Sequence, residues 1–303
     1  MRPNGIHLLL TYKCNASCGH CFLSCGPRRK GVMTAAEAIK YMDDSLQTGY
    51  IGHFFVEGGE PFLYPEILTS VVKAAQGRGI WIGALTNGFW ASSEAKAKER
   101  LAPLARAGLA SLGVSTDAWH SEFVPVENAE RAAKAATAMS IEADLMVCKG
   151  GPADDAVLSQ LSRDGFEFYT GGIVCRGRAA GISACALGES DWRSLTTCHA
   201  TFGGSSRVHI GPFGDIHLCQ GLLLGVDARE EPLADIFGGF DPSRHPICSV
   251  LEAGGPAALA RFAAGYGFEP RERYADDCQL CFEARRYLRP YFPRLLGPAE
   301  GYG

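Results

Sequence analysis

Three cysteines in eight residues constrain this chain most: Cys14-Asn15-Ala16-Ser17-Cys18-Gly19-His20-Cys21, spaced C-x3-C-x2-C. They follow Ile6-His7-Leu8-Leu9-Leu10-Thr11, a short apolar run that reads as a buried strand. Thiolates are soft ligands that select iron–sulfur clusters, zinc or Cu(I). A structural zinc site asks for four protein ligands, usually in C-x2-C pairs. A [4Fe–4S] cluster held by three cysteines keeps one iron open to a ligand that is not protein. The three thiols predict such a cluster at Cys14, Cys18 and Cys21.

The rest of the first half alternates. The capping box Thr34-Ala35-Ala36-Glu37 opens a helix, and strands are expected at 53–56, 80–85, 111–114, 142–147 and from 166. Helices are expected between them, near 65–77, 92–107, 127–139 and 156–163. Six strand–helix units in about 175 residues mean parallel strands with crossover helices, too few for a closed eight-fold barrel of about 250 residues. From about Ser190 the alternation gives way to Gly, Pro and isolated Cys, with a hairpin about Gly211-Pro212-Phe213-Gly214. A helix is expected over 256–264 and another from about Cys281. The predicted division is 1–190 and 191–303.

C-x3-C-x2-C after a first strand resembles the signature of radical S-adenosylmethionine (SAM) enzymes, although their usual aromatic residue before the third cysteine is His20 here. The resemblance implies an α/β partial (β/α)6 TIM-like barrel. It also implies that SAM chelates the open iron and is cleaved to a 5'-deoxyadenosyl radical, with electrons from an external donor such as flavodoxin or ferredoxin. Glu57-Gly58-Gly59-Glu60-Pro61 after the second strand resembles the family's GGEP motif, which assigns Gly58, Gly59 and Glu60 to the SAM amino group. Ser115 and Asp117 after the fourth strand match its Ser-x-Asp near SAM, and Gly177-Arg178-Ala179 a GRA segment whose Arg178 reaches SAM or substrate. Without the resemblance, the Gly-Gly-Glu-Pro run reads as a turn and Asp117 as a cap.

Cys198-x15-Gly214-x4-Cys219 and Cys278-x2-Cys281 supply four more thiols, full ligation for a second [4Fe–4S] cluster or for zinc. The pattern resembles the twitch form of the SPASM extension, a small C-terminal α+β iron–sulfur domain, since Tyr287 stands where a full SPASM domain has its next cysteine. Five of the twelve cysteines remain: Cys25, Cys148, Cys175, Cys185 and Cys248. A free thiol can return a hydrogen atom to a planar carbon radical from the opposite face, and Cys248, in the stretch His245-Pro246-Ile247-Cys248 read as a loop, is the leading candidate.

Two clusters, this size and a free cysteine there resemble radical SAM epimerases of aminoglycosides, of the kind that convert neomycin C to neomycin B. Glu60, Asp117, Asp144 and Glu167 would suit a polycationic small molecule. Alternatives are a dehydrogenase of an aminocyclitol alcohol, a peptide-modifying maturase, for whose usual N-terminal recognition domain the chain leaves no room, and a non-catalytic zinc module. A net charge of −4 with one short basic cluster, Arg28-Arg29-Lys30, argues against nucleic acid. No apolar stretch is long enough to span a bilayer, and no secretory signal pattern opens the chain, so a cytoplasmic protein is expected.

Overall fold

A computed structural model describes residues 1–182, 188–204 and 207–302. The predicted alternation is present as β1 (Gly5–Thr11), α1 (Ala35–Thr48), β2 (His53–Gly58), α2 (Pro65–Gln76), β3 (Trp81–Thr86), α3 (Glu94–Ala107), β4 (Ser111–Ser115), α4 (Ala118–Ser121), α5 (Val126–Thr137), β5 (Glu142–Lys149), α6 (Ala153–Arg163) and β6 (Phe168–Gly172). The box that opens α1 is reciprocal: Thr34 Oγ1 accepts from Glu37 N–H at 3.2 Å, and Glu37 Oε2 accepts from Thr34 N–H at 2.8 Å. The C-terminal part contributes β7 (Ser190–Asp191), β8 (Arg207–Ile210), β9 (Asp215–Cys219), β10 (Leu222–Asp227), α7 (Leu233–Gly239), α8 (Pro246–Ala264), β11 (Arg273–Tyr274) and α9 (Asp277–Leu288).

β1 to β6 pair in parallel and in sequence order, which requires a crossover connection between each pair, here through helices. The fold is therefore α/β with a mostly parallel central sheet. The expected hairpin is β8–β9, and β8 lies parallel to β1. The order β10-β9-β8-β1-β2-β3-β4-β5-β6 thus makes one sheet of both halves of the chain. One face is packed under the helices: Ile6, Leu8, Leu10, Phe54, Val56, Ile82, Ala84, Leu112, Val114, Leu145 and Val147 are all buried. The other face is concave and carries His7, Phe55, Glu57, Leu85 and Met146. Gly83 and Gly113 make room there: a Cβ would meet the Phe55 ring at 2.4 Å and Leu85 at 2.4 Å, respectively.

The structure corrects the sequence reading in three places. The stretch holding Cys248 is the first turn of α8, not a loop. Pro246 occupies the opening position of the helix, and the His245 ring caps it by accepting from Ile247 and Cys248 N–H at 3.3 and 3.2 Å. Gly254 and Gly255 break α8 just before the expected 256–264 segment. α9 begins at Asp277 rather than near Cys281, because Asp276 accepts from Gln279 N–H at 2.7 Å, so Cys278 and Cys281 share its first turns. β10 and α7 were not expected. No described helix is long and apolar enough to cross a membrane.

Candidate active site

Cys14, Cys18 and Cys21 lie on the loop that leaves β1 at its C-terminal end. The loop is packed by Leu9, Tyr12, Ala16, Leu23 and Cys25 into a small apolar cluster of its own. Its backbone is tied back at Cys14 N–H to Gly26 C=O (3.2 Å) and at Gly26 N–H to Tyr12 C=O (3.3 Å). Arg178 staples it from the other side. Its Nε donates to Cys18 C=O at 3.0 Å, its Nη1 to Cys25 C=O at 2.5 Å, and its own N–H to Cys21 C=O at 3.0 Å. Gly177 approaches so closely, with φ +57°, that a Cβ would lie 2.5 Å from Phe22 C=O. Arg178 therefore contacts the loop, where the sequence assigned it to SAM or substrate. Burial pushes the Cys14 and Cys18 thiols up to about 12, while a hydrogen bond from Cys25, with the Arg178 charge, brings Cys21 down to about 5. Arg178 favours the thiolate at all three.

Gly58 and Gly59 lie against the same strand exit. Gly58 has φ +127°, and a Cβ there would stand 2.5 Å from Thr11 C=O; at Gly59 it would stand 2.1 Å from Lys13 C=O. This close approach lets Gly59 and Glu60 N–H donate to Thr11 and Lys13 C=O at 2.6 and 3.0 Å. Glu60 is fully buried and accepts from Phe62 N–H (3.0 Å), Thr86 Oγ1 (2.8 Å) and Asn87 N–H (2.8 Å). Asn87 Nδ2 in turn reaches Asn15 Oδ1 at 2.9 Å and Cys14 Sγ at 3.7 Å. The two glycines and Glu60 thus position the cluster loop from beneath, and Asn87, which the sequence reading missed, completes the link.

Asp117 caps α4 by accepting from His120 N–H at 2.9 Å, and it also meets His120 Nδ1 at 2.9 Å, Cys148 N–H at 3.3 Å and His20 Nε2 at 3.3 Å. Burial would raise its pKa, but the two histidines hold it well below the usual carboxylate range. His20 stacks on Trp119 at 5.9 Å. The carboxylate therefore ties the end of β4 to the loop between Cys18 and Cys21. Ser115 is the last, half-buried residue of β4.

Cys198, Cys219, Cys278 and Cys281 come together from a loop, the end of β9 and the start of α9. Each is within electrostatic reach of others of the four. Two cations face them, Arg176 half-buried and Arg285 buried. Arg176 Nη1 donates to Cys219 Sγ at 2.8 Å, and Arg285, one helical turn after Cys281, is 1% exposed. Nε of both arginines has no hydrogen-bond partner among the described residues. Guanidinium groups held beside four thiols with N–H donors to spare fit an anionic metal–thiolate group. Arg285 was legible as an i+4 neighbour of Cys281; Arg176 gave no signal.

Of the other thiols, Cys248 is fully buried in the core, within electrostatic range of Cys198 and Cys219. Cys148, at the end of β5, shares the concave face with Met146 and is half-buried. Cys25 and Cys175 are buried. Cys185 lies outside the described residues.

Residues 8–149 match the family model of the Radical SAM superfamily. Over 119 residues the chain is 27% identical to the putative peptide biosynthesis protein YydG of Bacillus subtilis, a match to 39% of this chain and 37% of that protein. A match of 32% identity to the GTP 3',8-cyclase of Synechococcus elongatus covers 37% of this chain and 33% of that enzyme. The chain thus spans about a third of the length of these curated relatives. Among solved structures, native anSMEcpe with bound AdoMet superimposes with a TM-score of 0.55 at 14% identity, over 97% of this chain and 98% of that one. BtrN in complex with AdoMet and 2-DOIA gives 0.53 at 16%, over 84% and 89%. Residues 8–149 thus match a radical SAM domain, which implies a [4Fe–4S] cluster and SAM. The three loop thiols, the two glycines that admit only backbone, and the Arg178 charge fit that pair.

Proposed function

We propose that this protein is a cytoplasmic radical SAM epimerase that inverts a C–H stereocentre of an aminoglycoside-like small molecule. The observation that carries the enzyme class is the three-thiol loop fixed on one side by Gly58 and Gly59 and on the other by Arg178. When bound there, the cluster and SAM supply a carbon radical able to take hydrogen from an unactivated C–H bond. The chain's own part is to hold that loop, exclude water from it and present substrate on the concave face. Asp144 places a carboxylate on that face, which suits ammonium groups. In this reading Ser115 offers its hydroxyl to SAM at the end of β4.

The four thiols of 191–303, with Arg285 and with Arg176 reaching them from the first division, hold a second [4Fe–4S] cluster in a twitch-type arrangement. Cys248 is the thiol that returns hydrogen. It is no member of the four-thiol set, and it lies within electrostatic range of Cys198 and Cys219, from which an electron can be delivered. The exchange balances: the substrate loses one hydrogen atom and regains one from Cys248. The sulfur radical left on Cys248 then takes one electron, from an external donor of the flavodoxin or ferredoxin kind, and one solvent proton. Its burial requires α8 to yield at its first turn, whereas Cys148 already lines the concave face.

The test is anaerobic turnover of neomycin C in deuterated water, read by mass spectrometry and NMR. The expected product carries one deuterium at an inverted carbon, and Cys248→Ala cleaves SAM without forming epimer. Full epimerisation by Cys248→Ala with loss in Cys148→Ala would move the role to Cys148. A product two mass units lighter would replace the epimerase with a dehydrogenase. The similarity to YydG favours a peptide as the second substrate class.

A further inference from the structure

β8, β1 and β2 are neighbours in the sheet, and each contributes one polar side chain to the concave face. His209 stands opposite His7 in the β8–β1 register, and Glu57 stands opposite Leu9, one step along the same face. Glu57 Oε2 lies 3.2 Å from His7 Nδ1, and Oε1 lies 3.0 Å from His209 Nε2. All three ligand atoms are within 4.8 Å of one another. Phe55 walls the group on one side, its ring 5.1 Å from that of His7.

A pair of ion-paired histidines would aim N–H groups at the carboxylate. Here His7 Nδ1 and Glu57 Oε1 have no hydrogen-bond partner, although both are buried. The three side chains stand at ion-pair distances, but these contacts miss good hydrogen-bond geometry at His7 Nδ1 and Glu57 Oε1. Ligands about 2.1 Å from one ion stand roughly 3.0–3.4 Å apart in octahedral or tetrahedral geometry, the separations seen at Glu57. The other compact set of donors among the described residues, His20, Asp117 and His120, is different: its carboxylate is already consumed by capping α4.

We propose that His7, Glu57 and His209 bind a divalent metal ion, Zn2+ or Fe2+, on the inner wall of the barrel. Two imidazoles and one carboxylate suit those ions. The remaining coordination positions face the cavity, where water or an amino or hydroxyl group of a substrate completes the shell. The site draws no ligand from either cysteine set.

The experiment uses anaerobically reconstituted protein, loaded with Zn2+ and desalted. Zinc, iron and sulfide are counted per chain, and the zinc shell is read by X-ray absorption. The proposal expects one zinc per chain with iron and sulfide undiminished, and only nitrogen and oxygen neighbours at about 2.0–2.1 Å. His209→Gln and Glu57→Gln should each weaken zinc binding at least tenfold with iron and sulfide unchanged. His209→Gln lies outside the SAM-binding motifs, so it serves alone where Glu57→Gln does not fold. No retained zinc, sulfur neighbours at about 2.3 Å, or equal zinc in wild type and His209→Gln would overturn the site.

Discussion

Gly59 leaves no space for a methyl group, since its Cβ would meet backbone rather than a side chain that can move aside. Gly59→Ala is expected to destabilise by about 1–3 kcal/mol and to lower cluster iron, checked by denaturation and iron analysis. Arg178→Ala removes charge-assisted bonds to Cys18 and Cys25 C=O, an expected cost of about 2–4 kcal/mol, with impaired cluster retention that Arg178→Lys restores in part. Glu60 offers a pH test. Burial lifts its carboxyl to about 7, against the pull of three hydrogen bonds. A carboxyl whose folded pKa exceeds its unfolded value of about 4.3 favours folding in acid, and that contribution fades as pH rises from there through 7. Thermal melts of SAM-free protein should show wild type losing stability relative to Glu60→Gln between pH 5 and 8. The motifs were legible because spacing alone marks them. The actual contacts of Glu60, Asp117 and Arg178 were not, because sequence places a carboxylate or guanidinium near a loop without saying which backbone groups it will satisfy.

At the scale of elements, the parallel half was legible because apolar runs and glycine stops alternate with a helix-length period. The C-terminal half was less so. α8 lacks a Ser, Thr or Asp cap, and its signal was Pro246 with a histidine doing the capping. His245→Ala should cost about 1 kcal/mol and loosen the first turn around Cys248, read as faster thiol labelling there. β10 (Leu222–Asp227) follows β9 across the two-residue turn Gln220-Gly221, where Gly221 takes φ +80°, a hairpin signal the sequence reading passed over. The β8–β1 pairing was unreadable. A parallel contact between strands some 200 residues apart is set by packing, and no local pattern announces it.

Across the whole molecule, one sheet supports two sets of thiols, and the charges beside them differ: Arg178 at the first, Arg176 and Arg285 at the second. The two sets should therefore load independently. Wild type is expected to carry about eight irons per chain, and a Cys14/Cys18/Cys21→Ala triple variant about four. The most direct test of the account is the yield of 5'-deoxyadenosine from SAM, measured anaerobically with dithionite in these two proteins. The account predicts formation by wild type and none by the triple variant, although that variant keeps its second iron complement. Equal formation by both, or none by iron-replete wild type, would contradict it.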